Sequence, residues 1–377
     1  MVVGISGYVG NRLTGIGRVL VNVVRELAVQ YPGDVYYIFK NDDYDGFKQL
    51  EGIDNVRFVN TGVSKESGVG NLLWHQWGFQ RMLKKYSCNL AYIPNFSLLL
   101  WKAVPTVVTI HDLIEFNVPG KFGRMRMFYR KIICDPLMAK RSDVILTVSE
   151  SSKRDIIKYL KAPASKITVT PNASDDSVFR KFPAEECAEA AARYNLGLKD
   201  YFLFVGTIDY PGKNIKSVIE AYVGLREDGL FADKKLVIIG KKGHNAEVIM
   251  SIVESSAFKD DIVFLGYVPD ADLGKLCGGA LLMLYVSHYE GFGLPVLEAM
   301  SCGTPAICSN TSSLPEIAGD LDMCVPPEDI DAIKRKVVEF ADPAGYKALS
   351  EAMYKRSRVF SWEGSARLYH RVFESQI

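Results

Sequence analysis

Short apolar runs alternate with amphipathic stretches along almost the whole chain. Val2–Ser6, Val35–Phe39, Leu90–Ile93, Thr106–Ile110, Val144–Val148 and Ile167–Thr170 are near-continuous apolar segments. Such runs are the mark of strands buried on both faces of a parallel sheet. The pattern returns in the second half at Phe202–Val205, Lys235–Ile239, Ile262–Leu265, Leu281–Val286 and Pro305–Ser309. Between the runs, stretches such as Arg18–Gln30 and Asn214–Arg226 follow a helical period. Strand–helix alternation predicts an α/β protein with parallel, doubly wound sheets. At 377 residues the chain is long for one domain and suggests two. The expected boundaries are 1–178 and 184–358, with the break near Ser177–Glu185, after TPNASDDSVF. The tail FSWEGSARLYHRVFESQI has the pattern of one more amphipathic helix, over 361–377.

Composition narrows the partners. With 48% hydrophobic and 24% charged residues the chain is an ordinary globular protein, and a net charge of +1 points to no polyanion, so nucleic acid is not expected. The seven cysteines are scattered and lack Cys-x-x-Cys spacing, which argues for reduced thiols in a cytoplasm and against zinc. The strand-like VVGIS directly after Met1 leaves no room for a leader. No apolar run approaches the roughly 18 residues of a membrane span. Residues 121–141 carry seven basic side chains and one acidic one. Met125, Phe128, Tyr129 and Ile132 form an apolar stripe at helical spacing, with Arg126 and Arg130 off it. Two readings stand: a helix lying on anionic lipid, or a core-facing helix with a solvated basic face. The first would place the protein on the inner face of the cell membrane.

Candidate chemistry concentrates in SHYEGFGLPVLEAMSCGTPAICSN. The run Leu281–Val286 ends at a loop holding Gly291, Gly293 and Pro295, and a helix is expected from Val296. Glu290 then lies at the carboxyl edge of a sheet, and Glu298 in or near the first turn of the helix. The glycines expose bare N–H groups, and the helix N-terminus favours a phosphate. Carboxylates beside a phosphate cradle fit a ligand with both hydroxyls and phosphates, as a nucleotide-sugar has. Lys213 in FLFVGTIDYPGKN offers a point charge for phosphate. His111 closes the run TVVTI and precedes Asp112, which aims it into a crevice of an open sheet. Gly15 and Gly17 precede a helix expected near Arg18 and suit a diphosphate loop. Their G-x-G also fits a dinucleotide-binding dehydrogenase, but the third glycine and the acidic end of the second strand are missing. His75, in LLWHQWGFQ, is a candidate border of an acceptor site. Asp43/Asp45, Asp270/Asp272 and Asp329/Asp331 have metal-pair spacing but suit helix caps or solvated loops better. No metal or cofactor is expected.

The string Glu290, seven residues, Glu298, with GFGLPVLEA between and G-T-P-A and L-P-E-I-A-G after it, resembles the signature of the family-four retaining glycosyltransferases of the GT-B fold. The resemblance runs from Gly15 to about Ala366. It implies two facing Rossmann-like domains, with the last helix crossing back to the first. It places Lys213 on the donor diphosphate, Glu298 on the ribose hydroxyls, and Tyr267 and Val268 by the nucleobase. It places Glu290 and the Gly291, Phe292, Gly293 and Leu294 backbone on the sugar, and His111 beside it. The Gly15–Gly17 loop would close over the diphosphate and face the acceptor. The family often has arginine where this chain has Thr207, so one phosphate charge is missing. The VGT…GKN variant and SSLPEIAGD resemble the mannosyltransferase branch using GDP-mannose for surface polysaccharides, with a glycan or lipid-linked acceptor. dTDP-rhamnose and UDP-hexoses remain alternative donors, and a non-catalytic nucleotide-sugar-binding partner remains an alternative role.

Overall fold

The computed structural model describes residues 1–8, 15–41, 46–62, 68–97, 99–121 and 123–377. The apolar runs become two all-parallel sheets. The first holds β1 (Val2–Ser6), β2 (Val35–Lys40), β3 (Val56–Asn60), β4 (Leu90–Ile93), β5 (Thr106–Thr109), β6 (Val144–Thr147) and β7 (Ile167–Val169), in the order β3-β2-β1-β4-β5-β6-β7. The second holds β8 (Tyr201–Val205), β9 (Lys235–Ile239), β10 (Ile262–Gly266), β11 (Leu282–Tyr285), β12 (Ala306–Ser309) and β13 (Cys324–Val325), in the order β10-β9-β8-β11-β12-β13. In each sheet the strand order reverses once, between β1 and β4 and between β8 and β11. The carboxyl ends there open a crevice. Two strands escape the sequence pattern. β3 is an edge strand with exposed Arg57, and β13 spans only two residues.

The chain divides into two compact units. One comprises Met1–Phe116, Phe122–Asn172 and Ser361–Ile377, and the other Asn117–Lys121 and Ala173–Phe360. The last helix, Trp362–Glu374, belongs to the first unit because its apolar face packs there. Ser361 caps it, accepting from the Gly364 amide at 3.1 Å. Trp362, Ala366, Tyr369 and Phe373 are buried at helical spacing. Tyr369 and Phe373 meet Tyr92 of β4 edge-on and tilted, at 5.7 and 5.5 Å. Each such ring contributes roughly 1.5–3 kcal/mol through burial. His370 adds a contact to Asp34 at 3.0 Å.

The structure corrects three expectations. The helix after β1 starts at Gly15 rather than near Arg18, so Gly15 and Gly17 lie in its first turn. The helix Leu294–Ser301 starts two residues early, which moves Glu298 to its second turn. The 121–141 segment does not turn its apolar stripe to the core, contrary to the core-facing alternative. It is helical from Arg124 to Arg141, with a π-helical turn at Tyr129–Cys134 that shifts the phase of the stripe. The buried positions are Cys134, Asp135, Met138 and Ala139, with Arg130 beside them. Met125, Phe128 and Ile132 are 85, 60 and 62% exposed.

Candidate functional site

In the second unit the site forms at the β8/β11 switch point. β8 ends at Val205, Gly206 and Thr207 follow it, and the loop beyond turns back to present Lys213. β11 ends in Tyr285 and leads to Glu290. These two strand ends bring the predicted cation and carboxylate together. Lys213 Nζ donates to Glu290 Oε1 at 2.6 Å and to Tyr285 Oη at 2.9 Å, and Tyr285 Oη donates to the same Glu290 oxygen at 2.9 Å. Burial alone would lower the Lys213 ammonium. The Glu290 carboxylate and the Tyr285 hydroxyl outweigh it and hold the ammonium well above an ordinary lysine. Burial, then the Glu290 carboxylate, raises Tyr285, so its hydroxyl stays protonated.

The loops are fixed from behind. The Lys213 amide donates to Asp209 Oδ1 at 3.2 Å, and Asn214 Nδ2 donates to the Val286 and Pro327 carbonyls at 2.9 and 2.7 Å. Glu290 N donates to Ser312 Oγ at 2.9 Å, and Ser313 Oγ donates to the Glu290 and Phe292 carbonyls at 3.0 and 2.8 Å. Gly293 caps the helix Leu294–Ser301 at φ 108°, and a Cβ there would meet Leu314 Cδ2 at 2.5 Å. Only glycine fits that backbone and that packing. The amides of Phe292 and Gly293 donate to no atom of the described residues, and the helix N-terminus behind them favours an anion. Gly291 and Leu294 are half-buried on either side, while the Phe292 ring is anchored edge-on to Phe360. Glu298 is half-buried on the same helix; the Cys277 thiol, raised first by its contact with Cys302 and by burial, also feels the Glu298 carboxylate.

The neighbouring strand ends close in the same way. The Gly206 amide donates to Ile239 O and the Gly240 amide to Gly266 O, each at 2.9 Å. A Cβ at Gly240 would fall 1.8 Å from Gly206 O. Thr207 lies against Gly243, whose Cβ would meet its Cγ2 at 2.5 Å. Past β10, Tyr267 is 80% exposed and Val268 is buried. Tyr285, Asp209, Ser312 and Ser313 were not singled out from the sequence. Tyr285 carries a signal, as the one hydroxyl in the apolar run Leu281–Val286. The serines lie in the SSLPEIAGD string but do their work by folding back onto Glu290, which spacing does not reveal.

In the first unit, His111 follows β5. Its Nε2 donates to Pro94 O at 3.0 Å, which leaves Nδ1 as the acceptor. Burial pushes the imidazole down to about 4, so it is neutral near pH 7. His75 is more deeply buried, between Ser6 Oγ and Asn71 O at 2.9 Å each, and is likewise pushed down to about 4. It is a packed core histidine, with its ring against Tyr8. Gly15 is exposed with open space where a Cβ would stand, and Gly17 is buried. The loop residues before them lie outside the described residues. The aspartate pairs serve other ends. Asp272 bonds Tyr194 at 2.9 Å and pairs with Arg193, and Asp329 caps the helix Ile330–Phe340. Asp43/Asp45 lie outside the described residues. Among the described residues no cluster of three or more His, Cys, Asp or Glu could hold a metal. None of their helices is long and apolar enough to cross a membrane.

A lysine and a carboxylate at the switch point, beside a helix N-terminus, can take a ligand bearing phosphate and hydroxyls. Comparison with known proteins identifies the family. Residues 191–358 match the family model of glycosyl transferases group 1, and residues 13–178 match glycosyltransferase family 4. The chain is 33% identical over 369 residues to the O-antigen chain mannosyltransferase B of Escherichia coli, covering 93% of each. It is 31% identical over 277 residues to the serotype-specific mannosyltransferase WbdA of Escherichia coli, covering 71% of this chain and 33% of that one. Among solved structures, sucrose-phosphate synthase from Thermosynechococcus elongatus superposes with a TM-score of 0.77 at 19% identity, over all of both chains. The fold and the enzyme class follow together: the chain belongs to the family-four glycosyltransferases of the GT-B fold, in their mannosyltransferase-like branch.

Proposed function

We propose that the enzyme moves mannose from GDP-mannose to a glycan or lipid-linked acceptor in surface polysaccharide synthesis, with retention and without a metal. The observation that carries the reading is the Lys213–Glu290–Tyr285 cluster at the second unit's switch point. The donor's diphosphate takes Lys213 from Glu290 and borrows the Phe292 and Gly293 amides. Glu290, released, accepts from the sugar hydroxyls. Glu298 accepts from the ribose hydroxyls, and the base lies by Tyr267 and Val268. The bond from the sugar C1 to the β-phosphate oxygen breaks, and a bond from C1 to an acceptor oxygen forms on the same face. The acceptor proton leaves with the phosphate. Lys213, amides and helix ends meet the developing charge, which is the electrostatic work a preorganised site does best. The mannosyltransferase relatives support the choice of sugar.

A thermal-shift panel of GDP, UDP and dTDP with their sugars tests the donor. GDP and GDP-mannose at 100 times their dissociation constants should add about 2.7 kcal/mol of stability. Transfer should survive EDTA. Stabilisation by UDP or dTDP alone, or activity restored only by magnesium, would overturn these assignments. The exposed Met125, Phe128 and Ile132 stripe supports contact with a lipid surface. Arg130 is excluded from that contact by its ion pair with Glu115. Placing negative charge on the exposed stripe, with Met125→Glu and Ile132→Glu, should end flotation with anionic vesicles.

A further inference from the structure

The loop that presents Lys213 is held by a second lysine–carboxylate pair. The short segment Asn117–Lys121 belongs to the second unit, although the chain on either side of it belongs to the first. Its turn is closed by the Lys121 amide on Val118 O at 3.4 Å, and Gly120 takes the left-handed conformation, φ 74°, that the turn needs. Val118 is buried and anchors it. So placed, Lys121 Nζ donates to Asp209 Oδ2 at 2.5 Å, while Asp209 Oδ1 accepts the Lys213 amide at 3.2 Å. One carboxylate thus joins Lys121 to the backbone of Lys213. Gly212 makes room for the pair: a Cβ there would fall 3.0 Å from Asp209 Oδ1 and 3.1 Å from Lys121 Nζ. The Gly212 carbonyl is held in turn by Ser287 Oγ at 3.1 Å and the His288 amide at 3.3 Å. Asp209 also neighbours Thr207, which brings no charge. A Cβ at Gly243 would meet Thr207 Cγ2 at 2.5 Å and Asp209 Cβ at 3.3 Å.

The Lys121 and Asp209 side chains are only 12 and 7% exposed. Two charges held that far from water contribute little net stability by themselves, yet both stand beside the phosphate-binding loop. A donor diphosphate brings two negative charges, and a third develops on the leaving group as the C1–oxygen bond breaks. Lys213 meets them with one positive charge. Lys121, across Gly212 from it, offers another. An ammonium has three N–H donors, so Lys121 can reach a phosphate oxygen without giving up Asp209.

We infer that Lys121 is a second phosphate-binding residue of the donor site, held in place by Asp209 as Lys213 is by Glu290. This rests on the transferase reading and adds a residue to its donor site.

The test titrates GDP, inorganic pyrophosphate and guanosine into the full chain by calorimetry. It compares wild type, Asp209→Asn, and Asp209→Asn combined with Lys121→Met or with Lys121→Arg. Asp209→Asn keeps an acceptor for the Lys213 amide and removes the buried negative charge, so the lysine can then be lost without stranding a carboxylate. Circular dichroism checks each fold. Adding Lys121→Met to Asp209→Asn should weaken GDP and pyrophosphate by about tenfold or more, the scale of one hydrogen bond to a charged group. Lys121→Arg should keep most of the affinity. Guanosine, which carries no phosphate, should bind all four alike. If Lys121 only neutralises Asp209, adding Lys121→Met to Asp209→Asn changes nothing, and the inference is overturned. An equal loss for guanosine overturns it as well, because the loop and not a charge contact would have changed. Transfer of mannose from GDP-mannose in the same preparations separates the two claims. An enzyme that transfers mannose but keeps its pyrophosphate affinity when Lys121→Met is added refutes this residue alone. A chain that shows the loss but transfers no sugar refutes the transferase reading alone.

Discussion

Two cation–carboxylate pairs, one in each unit, use similar groups for opposite ends. Lys213 and Glu290 meet at 2.6 Å with their side chains 20 and 12% exposed. Arg130 and Glu115 meet at 3.0 Å with theirs 12 and 0% exposed. The first pair stands at a strand-end crevice on a flexible four-carbon stem, and its other contact is a tyrosine hydroxyl that also serves the carboxylate. It can exchange partners when an anion arrives. The second cannot, because a planar guanidinium stacked on Phe96 is held in one plane and its carboxylate has no path to water. Geometry, not charge, separates a pair that waits for a ligand from one that shapes a wall.

The sharpest break in this comparison comes from removing one partner of the sealed pair. Glu115→Ala removes the buried carboxylate that pairs with Arg130 and should cost about 3–5 kcal/mol of stability, read by urea unfolding of the first unit's transition. A loss near zero would mean that water reaches Arg130. Removing the exchangeable cation should behave otherwise. Lys213→Ala should keep most of the stability while losing about 2.7–4 kcal/mol of transition-state stabilisation, a fall of roughly a hundredfold to a thousandfold in turnover. Near-normal kcat would show that the phosphate is held elsewhere. A third effect grows with pH and comes from the proton behind the sealed pair. With Asp135 held well above the ordinary carboxylate range by burial and the adjoining Glu115 carboxyl, the folded state keeps a proton that the unfolded chain loses in the window just above that range. Stability should therefore fall as pH rises through that window. Asp135→Asn removes the slope, so its stability relative to wild type should climb by on the order of 1 kcal/mol per pH unit. A flat difference between pH 5 and 8 would contradict the buried proton.

The same contrast shows what was legible in the sequence. Parallel strands buried on both faces announce themselves as apolar runs. The sheets were readable for that reason, except for half-exposed β3 and two-residue β13. Lys213 and Glu290 were readable as strand-end residues beside glycines, but their direct contact was not, since it depends on how two loops fold back. Tyr285 showed only as the one hydroxyl in an apolar run, a signal that spacing alone does not tie to Lys213. In the 121–141 segment the core-facing alternative and the outward Arg130 failed because the period assumed an ideal α-helix. A π turn and one buried ion pair turned Arg130 inward and left the apolar stripe exposed. Burial of an arginine depends on a partner from elsewhere in the chain, and Glu115 carries no local signal of that role.

The central claim is that the donor diphosphate takes Lys213 from Glu290. Calorimetric titration of GDP into wild type, Glu290→Gln and Lys213→Ala tests it most directly. Glu290→Gln frees Lys213 in advance, so GDP should bind it more tightly than wild type, while transfer of mannose falls. Lys213→Ala should bind GDP more weakly than either. If Glu290→Gln instead weakens GDP, or leaves both affinity and turnover unchanged, the two side chains do not exchange partners and the account of the site is wrong.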